Sequence, residues 1–239
     1  MKIDKTESSI YIGRNAGSEC LDALEHAKKS VKIVSPYLSP NYIKKLLKLH
    51  NKGINITLLT SDRIETNNRS DFDHSDIIKQ NIEVNENKKN IRNVVLILSV
   101  ILFLISTLGL FYRMFFFIYA LSASIILFLF FKYKYRTITY SYYPIFKLRV
   151  FDSHANEDGG RGYLIHAKIY VIDDKFAFLG STNFTHNGFV NSYESSIKFT
   201  SEKAVKKISE EVDWIYDNCE LLMLDIQEWG KELYHEPIN

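Results

Sequence analysis

The stretch HAKIYVIDDKFAFLGSTNFT, residues 166–185, is the part of this sequence that decides the fold. Its apolar residues predict two strands, over residues 164–172 and 175–180, joined by a tight turn at the Asp-Asp pair. If the second strand returns antiparallel, the Gly-Ser-x-Asn segment arrives at the end of the hairpin where the first strand begins. Polar residues from both ends of the hairpin then converge on one spot.

The residue types at that spot indicate chemistry. His166 and Lys168 share a face of the predicted strand, because alternate residues point the same way. A neutral imidazole beside a fixed positive charge and the amide of Asn183 suits attack on a phosphodiester, and such a scheme needs no metal and no cofactor. Ordinary polar residues at the end of a strand are the alternative interpretation.

The spacing of these residues also resembles a known family. His166-x-Lys168-x₄-Asp173, followed by Gly180-Ser181-x-Asn183, is similar to the HxKxxxxD signature of the phospholipase D superfamily. The resemblance implies an α/β fold, a phospholipase D-like mixed sheet flanked by helices. It also implies a catalytic set, which consists of His166, Lys168, Asp173, Ser181, Asn183 and Glu194.

Each member of this set receives a role from the resemblance. His166 is expected to be the nucleophile that forms a phosphohistidine, while Lys168 and Asn183 bind the phosphate oxygens and Ser181 supports that contact.

Two acidic residues complete the set. Asp173 is expected to be mainly structural. Glu194 lies where single-motif bacterial endonucleases of the superfamily have a matching acid, and it is expected to orient His166 by accepting its other ring N–H.

The reaction of the superfamily needs two histidines, one to attack and one to protonate the leaving oxygen. This chain contains the motif once, and no second HxK occurs in its first half. A homodimer that pairs two copies of His166 across a two-fold axis is therefore predicted.

An apolar block at residues 94–131 predicts attachment to a membrane. Its two runs, 94–111 and 114–131, are each about 27 Å long as helices, close to the thickness of the bilayer core. A single helix over the whole block would be far too long for one span, so the chain is expected to reverse between Gly109 and Arg113 and to form a transmembrane helical hairpin. A helical hairpin buried in a soluble protein and a shallow re-entrant hairpin are the alternatives.

Positive charges flank this block on both sides and predict its orientation. They are Lys88, Lys89 and Arg92 before it and Lys132, Lys134 and Arg136 after it. We therefore expect a multi-pass protein of the cell inner membrane with a cytoplasmic catalytic domain. The polar N-terminus has no apolar core typical of a secretory signal.

The remaining residues predict one α/β domain in two parts, 1–93 and 132–239, the second carrying the motif. Helices and strands are expected to alternate in the first part, with two parallel strands. The predicted elements of the soluble parts are helices at 19–30 and 41–53, strands at 31–38, 54–62, 143–153 and 195–200, a polar and then helical segment at 63–80, and one or two helices within 201–234.

Four other features of the sequence bear on its function: the net charge, the cysteines, an acidic cluster and a polar loop. The net charge of +2 and pI of about 8.3 are too modest to identify a nucleic-acid binder. Cys20 and Cys219 suggest neither a disulfide framework nor a zinc site. Residues 70–76 contain three aspartates and a histidine, which favour a solvated loop over a metal site. A loop with His154 and Arg161 is expected to border the substrate entrance.

Two substrates remain open from the sequence. The single motif with Glu194 favours a membrane-anchored endonuclease that acts on nucleic acid. The bilayer anchor favours the alternative, a phospholipase D or phosphatidyltransferase acting on membrane phospholipids. A catalytically silent membrane scaffold is a third interpretation, which the intact catalytic set disfavours.

Overall fold

The hairpin predicted within residues 166–185 is present, and a mixed sheet is built around it. In the computed structural model of this protein, the described residues are 8–62, 77–112, 114–115, 117–152, 165–217 and 223–238. The candidate metal cluster at 70–76, the entrance loop with His154 and Arg161, and the positions of Arg113 and Cys219 lie outside them.

The described residues form nine strands and six helices. The strands are β1 Ser8–Arg14, β2 Ser30–Val34, β3 Asn55–Ser61, β4 Ile78–Val84, β5 Ile138–Pro144, β6 Lys147–Phe151, β7 Ile169–Ile172, β8 Phe176–Gly180 and β9 Tyr193–Phe199. The helices are α1 Ser18–Glu25, α2 Pro40–Asn51, α3 Glu86–Phe111, α4 Phe117–Tyr133, α5 Glu202–Asp217 and α6 Ile226–Leu233, and a short π-helical turn covers Asn187–Asn191.

Seven strands form the main sheet, in the order β1-β9-β8-β7-β2-β3-β6. The pairs β2–β3 and β3–β6 are parallel, and the other pairs are antiparallel. The predicted mixed α/β sheet flanked by helices is therefore confirmed. The parallel pair β2–β3 is connected through α2, as the predicted crossover requires.

The chain divides into two compact units. The first contains residues 1–79 and 143–229, and the second contains residues 80–142 and 230–239. The predicted domain boundaries, after residues 93 and 131, enclose only the membrane hairpin. They stay a prediction.

Both faces of the main sheet in the first unit are covered, because alternate residues of a strand point to opposite faces. On one face Val171 packs in a cluster with the apolar stripe of α5, which includes Val205, Ile208 and Val212. On the other face Tyr170 meets the rings of Phe184 and Phe189. Strand β7, which lies between Lys168 and Asp173 of the motif, is thus packed on both sides.

Several element boundaries differ from the sequence-based expectation. The edge strand β1 was not predicted, because its two isoleucines, Ile10 and Ile12, are exposed and its pairing with β9 comes from a distant segment. The segment 78–80 begins β4 and is not helical, since β4 pairs with β5 in a separate two-stranded sheet. The strand expected at 143–153 is two strands, β5 and β6, interrupted at residues 145–146.

The second unit contains α3 and α4, which pack against each other. Small residues line their contact: Ser99, Ser106 and Ser124 are buried, and a Cβ added at Gly109 would lie 2.3 Å from the ring of Phe117. By length and composition α3 is a candidate membrane span, while α4 is a shorter apolar helix of 17 residues. Two complete crossings stay a prediction.

Candidate active site

Three neighbouring strands bring the motif residues together. Lys168 and His166 precede β7, and the backbone N–H of Gly180, at the end of β8, donates to the carbonyl of Lys168 at 3.4 Å. Gly180 is in turn paired with Ser196 of β9. A Cβ at Gly180 would lie 2.0 Å from the carbonyl oxygen of Ser195, so only glycine permits this close approach of β8 and β9.

The imidazole of His166 and the ammonium group of Lys168 are in direct contact. Lys168 Nζ lies 3.0 Å from Nδ1 and 3.2 Å from Nε2 of His166, and it donates to the carbonyl of His166 at 2.7 Å. The His166 side chain is exposed, whereas Lys168 is only 6% exposed. Burial lowers the pKa of Lys168, and the negative charge of Glu194 partly opposes that shift.

Ser181 and Glu194 form the second half of the site. The Ser181 hydroxyl donates a short hydrogen bond to Glu194 Oε2 and accepts one from the backbone N–H of Ser195 at 2.9 Å. In the described part of the chain, the polar contacts of the His166 ring are with Lys168. The predicted role of Glu194 in orienting His166 therefore stays a prediction.

Asn183 lies in the turn after β8, and its backbone is held close to Gly188. A Cβ at Gly188 would approach the carbonyl oxygen of Asn183 to 2.4 Å. The buried Oδ1 of Asn183 has no hydrogen-bond partner among the residues that the structure describes. The amide of Asn183 is therefore not fully occupied by protein contacts.

Asp173 lies at the opposite end of β7 from His166. Its carboxylate accepts hydrogen bonds from the backbone N–H groups of Lys28, Lys29 and Ser30 at 2.6–3.0 Å. Burial alone would raise the pKa of Asp173, but these N–H groups outweigh it and the pKa is lowered. Asp173 and Asp174 have φ values of 56° and 51°, which suit a tight hairpin turn. This geometry suits the structural role that the resemblance implies.

Three residues that the sequence analysis did not assign to the site hold its loop in place. Tyr170 OH donates to the carbonyl of Thr182 at 2.7 Å, and Ser35 Oγ accepts from the N–H of Phe184 at 2.9 Å. Ser195 bonds Ser181, as described above. The position of Tyr170, two residues after Lys168, was a signal available in the sequence; Ser35 and Ser195 carried none, because their partners are distant in the chain.

Comparison with known proteins agrees with the motif. Residues 135–216 match the family model described as "Cardiolipin synthase, PLD-like domain". No curated protein sequence matches the chain. Among the described residues no group of three or more metal-ligating side chains is found.

Solved structures with a similar fold include two whose full length this chain nearly spans. One is NucT from Helicobacter pylori, which is 16% identical; the match covers 92% of this chain and 100% of that chain, with a TM-score of 0.49. The other is the phospholipase D family member Nuc from Salmonella typhimurium, which is 14% identical; the match covers 87% of this chain and 93% of that chain, with a TM-score of 0.43.

A third is phosphatidylserine synthase from Haemophilus influenzae, with 13% identity and a TM-score of 0.45, where the match covers 95% of this chain and 41% of that chain. Because these identities and TM-scores are low, the assignment rests on the family match over residues 135–216 and on the motif that it contains. Residues 135–216, which carry the motif, are similar to the PLD-like domain of the phospholipase D superfamily.

Proposed function

We propose that this protein is a membrane-anchored phosphodiesterase that cuts nucleic acid through a phosphohistidine intermediate in a homodimer. The observation that carries the proposal is the contact between the exposed His166 imidazole and the buried Lys168 ammonium group, beside the Ser181–Glu194 pair. Members of the superfamily are phosphodiesterases, which supports this reaction class.

In the first step an imidazole nitrogen of His166 attacks phosphorus, the new P–N bond forms and the bond to the leaving oxygen breaks. His166 of the partner subunit donates a proton to that oxygen. Lys168 and Asn183 bind the non-bridging oxygens, on which negative charge develops. In the second step the partner's His166 takes a proton from water, which attacks phosphorus, and the P–N bond breaks.

The environment of Lys168 suits this chemistry. The residue is only 6% exposed, and its ammonium group contacts the carbonyl and ring of His166. Among the described residues its hydrogen bonds include none to a carboxylate, although the charge of Glu194 acts on it from a longer distance. A phosphate oxygen that enters the site supplies the missing negative charge. Part of the attraction between site and substrate is therefore already created by the fold.

The surface of the helix pair supports membrane anchoring. Side chains around α3 are exposed although they are apolar, for example Leu98 at 56%, Leu104 at 55% and Leu108 at 61%. A hairpin buried in a soluble protein would hide these side chains from water. We infer that α3 and α4 both cross the inner membrane and that their charged ends, at Lys88 and Arg136, face the cytoplasm.

Three polar residues after the Asn183 turn support a hydrophilic substrate. His186, Asn187 and Asn191 follow the Asn183 turn, are exposed and are polar, which suits a nucleic-acid backbone. A phospholipid substrate is the second candidate, because the candidate membrane span α3 and the description of the matched family model both favour it.

The proposal is tested with the full chain purified in detergent and kept in EDTA. It is incubated with plasmid DNA and, separately, with vesicles of phosphatidylcholine and phosphatidylglycerol. We expect cleavage of DNA by the wild type, and no cleavage by His166→Ala. The matched control is His26→Ala, because His26 lies at the exposed end of α1 and the polar contacts of its ring within the described part of the chain are with Asp22.

Each outcome of this test has a defined meaning. Cleavage of lipid alone would transfer the proposal to the second candidate. Substantial activity in His166→Ala would remove His166 from the role of nucleophile. If the wild type cleaves neither substrate, the phosphodiesterase proposal is wrong.

A further inference from the structure

A basic cleft lies in the second compact unit, apart from the residues of the candidate active site. Its volume is about 300 Å³, and it is lined by cationic side chains from three segments of the chain. These are Lys88 in the first turn of α3, Arg136 between α4 and β5, and Lys231 in α6.

One carboxylate, Glu236, lines the cleft together with the three cations. Its oxygens are engaged by Tyr142 OH at 2.8 Å and by Arg136 Nη1 at 3.6 Å. The Arg136 side chain is still 60% exposed despite its partner, so it can bind a second anion.

A fourth cation lies one turn further along α3. Arg92 follows Lys88 by four residues and therefore lies on the same face of the helix. Its Nε is buried, and no described residue accepts a hydrogen bond from it. The Nε of Arg92 is therefore a hydrogen-bond donor that an anion beside the cleft could use.

The cleft lies just beyond the headgroup layer of a bilayer, at a distance that the long side chain of Lys88 can span. Lys88 precedes the apolar run at residue 94 by six residues, about 9 Å along a helix. The polar layer on each side of a bilayer core is roughly 5–8 Å thick. This step rests on the membrane anchoring proposed above.

We propose that the cleft of Lys88, Arg136 and Lys231 binds the phosphate of an anionic phospholipid headgroup. Arginine and lysine bind phosphate through charge-assisted hydrogen bonds, and basic residues beside a membrane span attract anionic lipid. The site is distinct from the one at His166, so lipid can be bound there while a phosphodiester is cut elsewhere.

The test uses the full chain in dodecyl maltoside, with thermal unfolding as the readout. The protein is titrated with dihexanoyl phosphatidylglycerol, with dihexanoyl phosphatidylcholine and with inorganic phosphate. We expect phosphatidylglycerol to raise the Tm at a concentration at least about tenfold lower than either of the other two, because only it combines a net negative headgroup with a lipid body.

Two triple variants separate a specific cleft from general charge. K88Q/R136Q/K231Q should lose the preference for phosphatidylglycerol, whereas K44Q/K48Q/K52Q, which removes the same charge from α2 and the residue after it, should keep it. If the first triple variant does not fold, K88Q/K231Q replaces it, because this variant retains the Arg136–Glu236 pair. H166A should show the wild-type preference.

Several results would overturn the inference. They are equal effects of the two lipids, an effect of inorganic phosphate equal to that of phosphatidylglycerol, or a preference retained in the cleft variant. Alkaline carbonate extraction of membranes separates this failure from that of the anchoring proposal. If carbonate releases the wild type, anchoring is wrong and the inference falls with it; if the protein stays in the membrane without lipid preference, only the cleft assignment is wrong.

Discussion

Lys168 shows how one residue can be unfavourable for stability and favourable for the proposed chemistry. The residue is only 6% exposed, and burial is the main cause of its lowered pKa. A charged group in this position destabilises the folded chain unless a partner compensates. The phosphate of a substrate is such a partner.

For Lys168→Met we expect a loss of activity of at least about 100-fold, the effect of removing one donor to a developing negative charge. We also expect a higher Tm than that of the wild type, since the variant buries no charge. The difference in Tm should narrow as the pH rises through the lowered pKa of Lys168 towards its usual value of 10.5, because Lys168 then loses its charge. Differential scanning calorimetry across this pH range measures it, and a Tm below that of the wild type at neutral pH would contradict it.

For Asp173→Asn we expect a structural defect and little direct effect on catalysis. The carboxylate binds three backbone N–H groups, so the variant should lose about 1–2 kcal/mol of unfolding free energy at neutral pH. Because the pKa of Asp173 is lowered, this stabilisation is present above the unfolded value of 3.8 and is lost as the pH falls through the folded value. Urea denaturation at pH 7 and at pH 3 tests this.

The neighbouring substitution Asp174→Asn is the control for this experiment, since asparagine tolerates the same positive φ and retains an acceptor for Ser209 Oγ. Below the unfolding temperature, Asp173→Asn should keep activity within about threefold of the wild type. A loss as large as that expected for Lys168→Met would show that Asp173 acts in the chemistry.

At the scale of elements, the site depends on how closely β8 and β9 approach. Ser181 and Glu194 can bond because β8 ends at Gly180 directly against the backbone of Ser195. The site is thus assembled by a contact between strands, and a change in that contact should displace two of its residues together.

For Gly180→Ala we expect a loss of about 1–3 kcal/mol in unfolding free energy, typical of overpacking, together with reduced activity. The control is Gly53→Ala, where φ is 85° but nothing lies within 4 Å of the added Cβ. Gly53→Ala should lose only the smaller amount of unfolding free energy that an alanine at this positive φ costs, and its activity should be unchanged. Denaturant unfolding and the DNA cleavage assay are the measurements; equal defects in both variants would rule out the role of close strand approach.

At the scale of the whole molecule, a single motif makes the site of one chain incomplete for the proposed two-histidine reaction. A heterodimer of wild-type and His166→Ala subunits should therefore be almost inactive, because each phosphorus centre needs both imidazoles. Co-expression with two different affinity tags allows the heterodimer to be isolated. Activity near half that of the wild-type dimer would show that one histidine suffices.

The proposed topology predicts where the loop between α3 and α4 lies. With Cys219 replaced by serine, Phe115→Cys should react with an impermeant maleimide in intact spheroplasts, whereas Lys134→Cys should react only after lysis. The remaining Cys20 is buried, and burial raises the pKa of its thiol, so it should stay unlabelled. Labelling of Phe115→Cys only after lysis would favour a re-entrant hairpin.

Sequence alone was sufficient for features that depend on neighbouring residues. The β7–β8 hairpin follows from two apolar runs around the Asp-Asp turn, and the two apolar helices follow from composition. The hairpin and the helices are local properties, and the structure agrees with them. The strand expected from residue 164 begins only at Ile169, so His166 and Lys168 lie before β7 and not on a strand face, although their side chains are in contact.

Only the tertiary structure decided the features that join distant segments. Asp173 bonds the N–H of Ser30, 143 residues away in the sequence. The pairing of β1 with β9 and the basic cleft of the second unit likewise combine residues that are distant in the sequence. Such contacts depend on which surfaces pack together, and that packing depends on the whole chain. A hydrophobic period or a turn, by contrast, depends only on the few consecutive residues that form it.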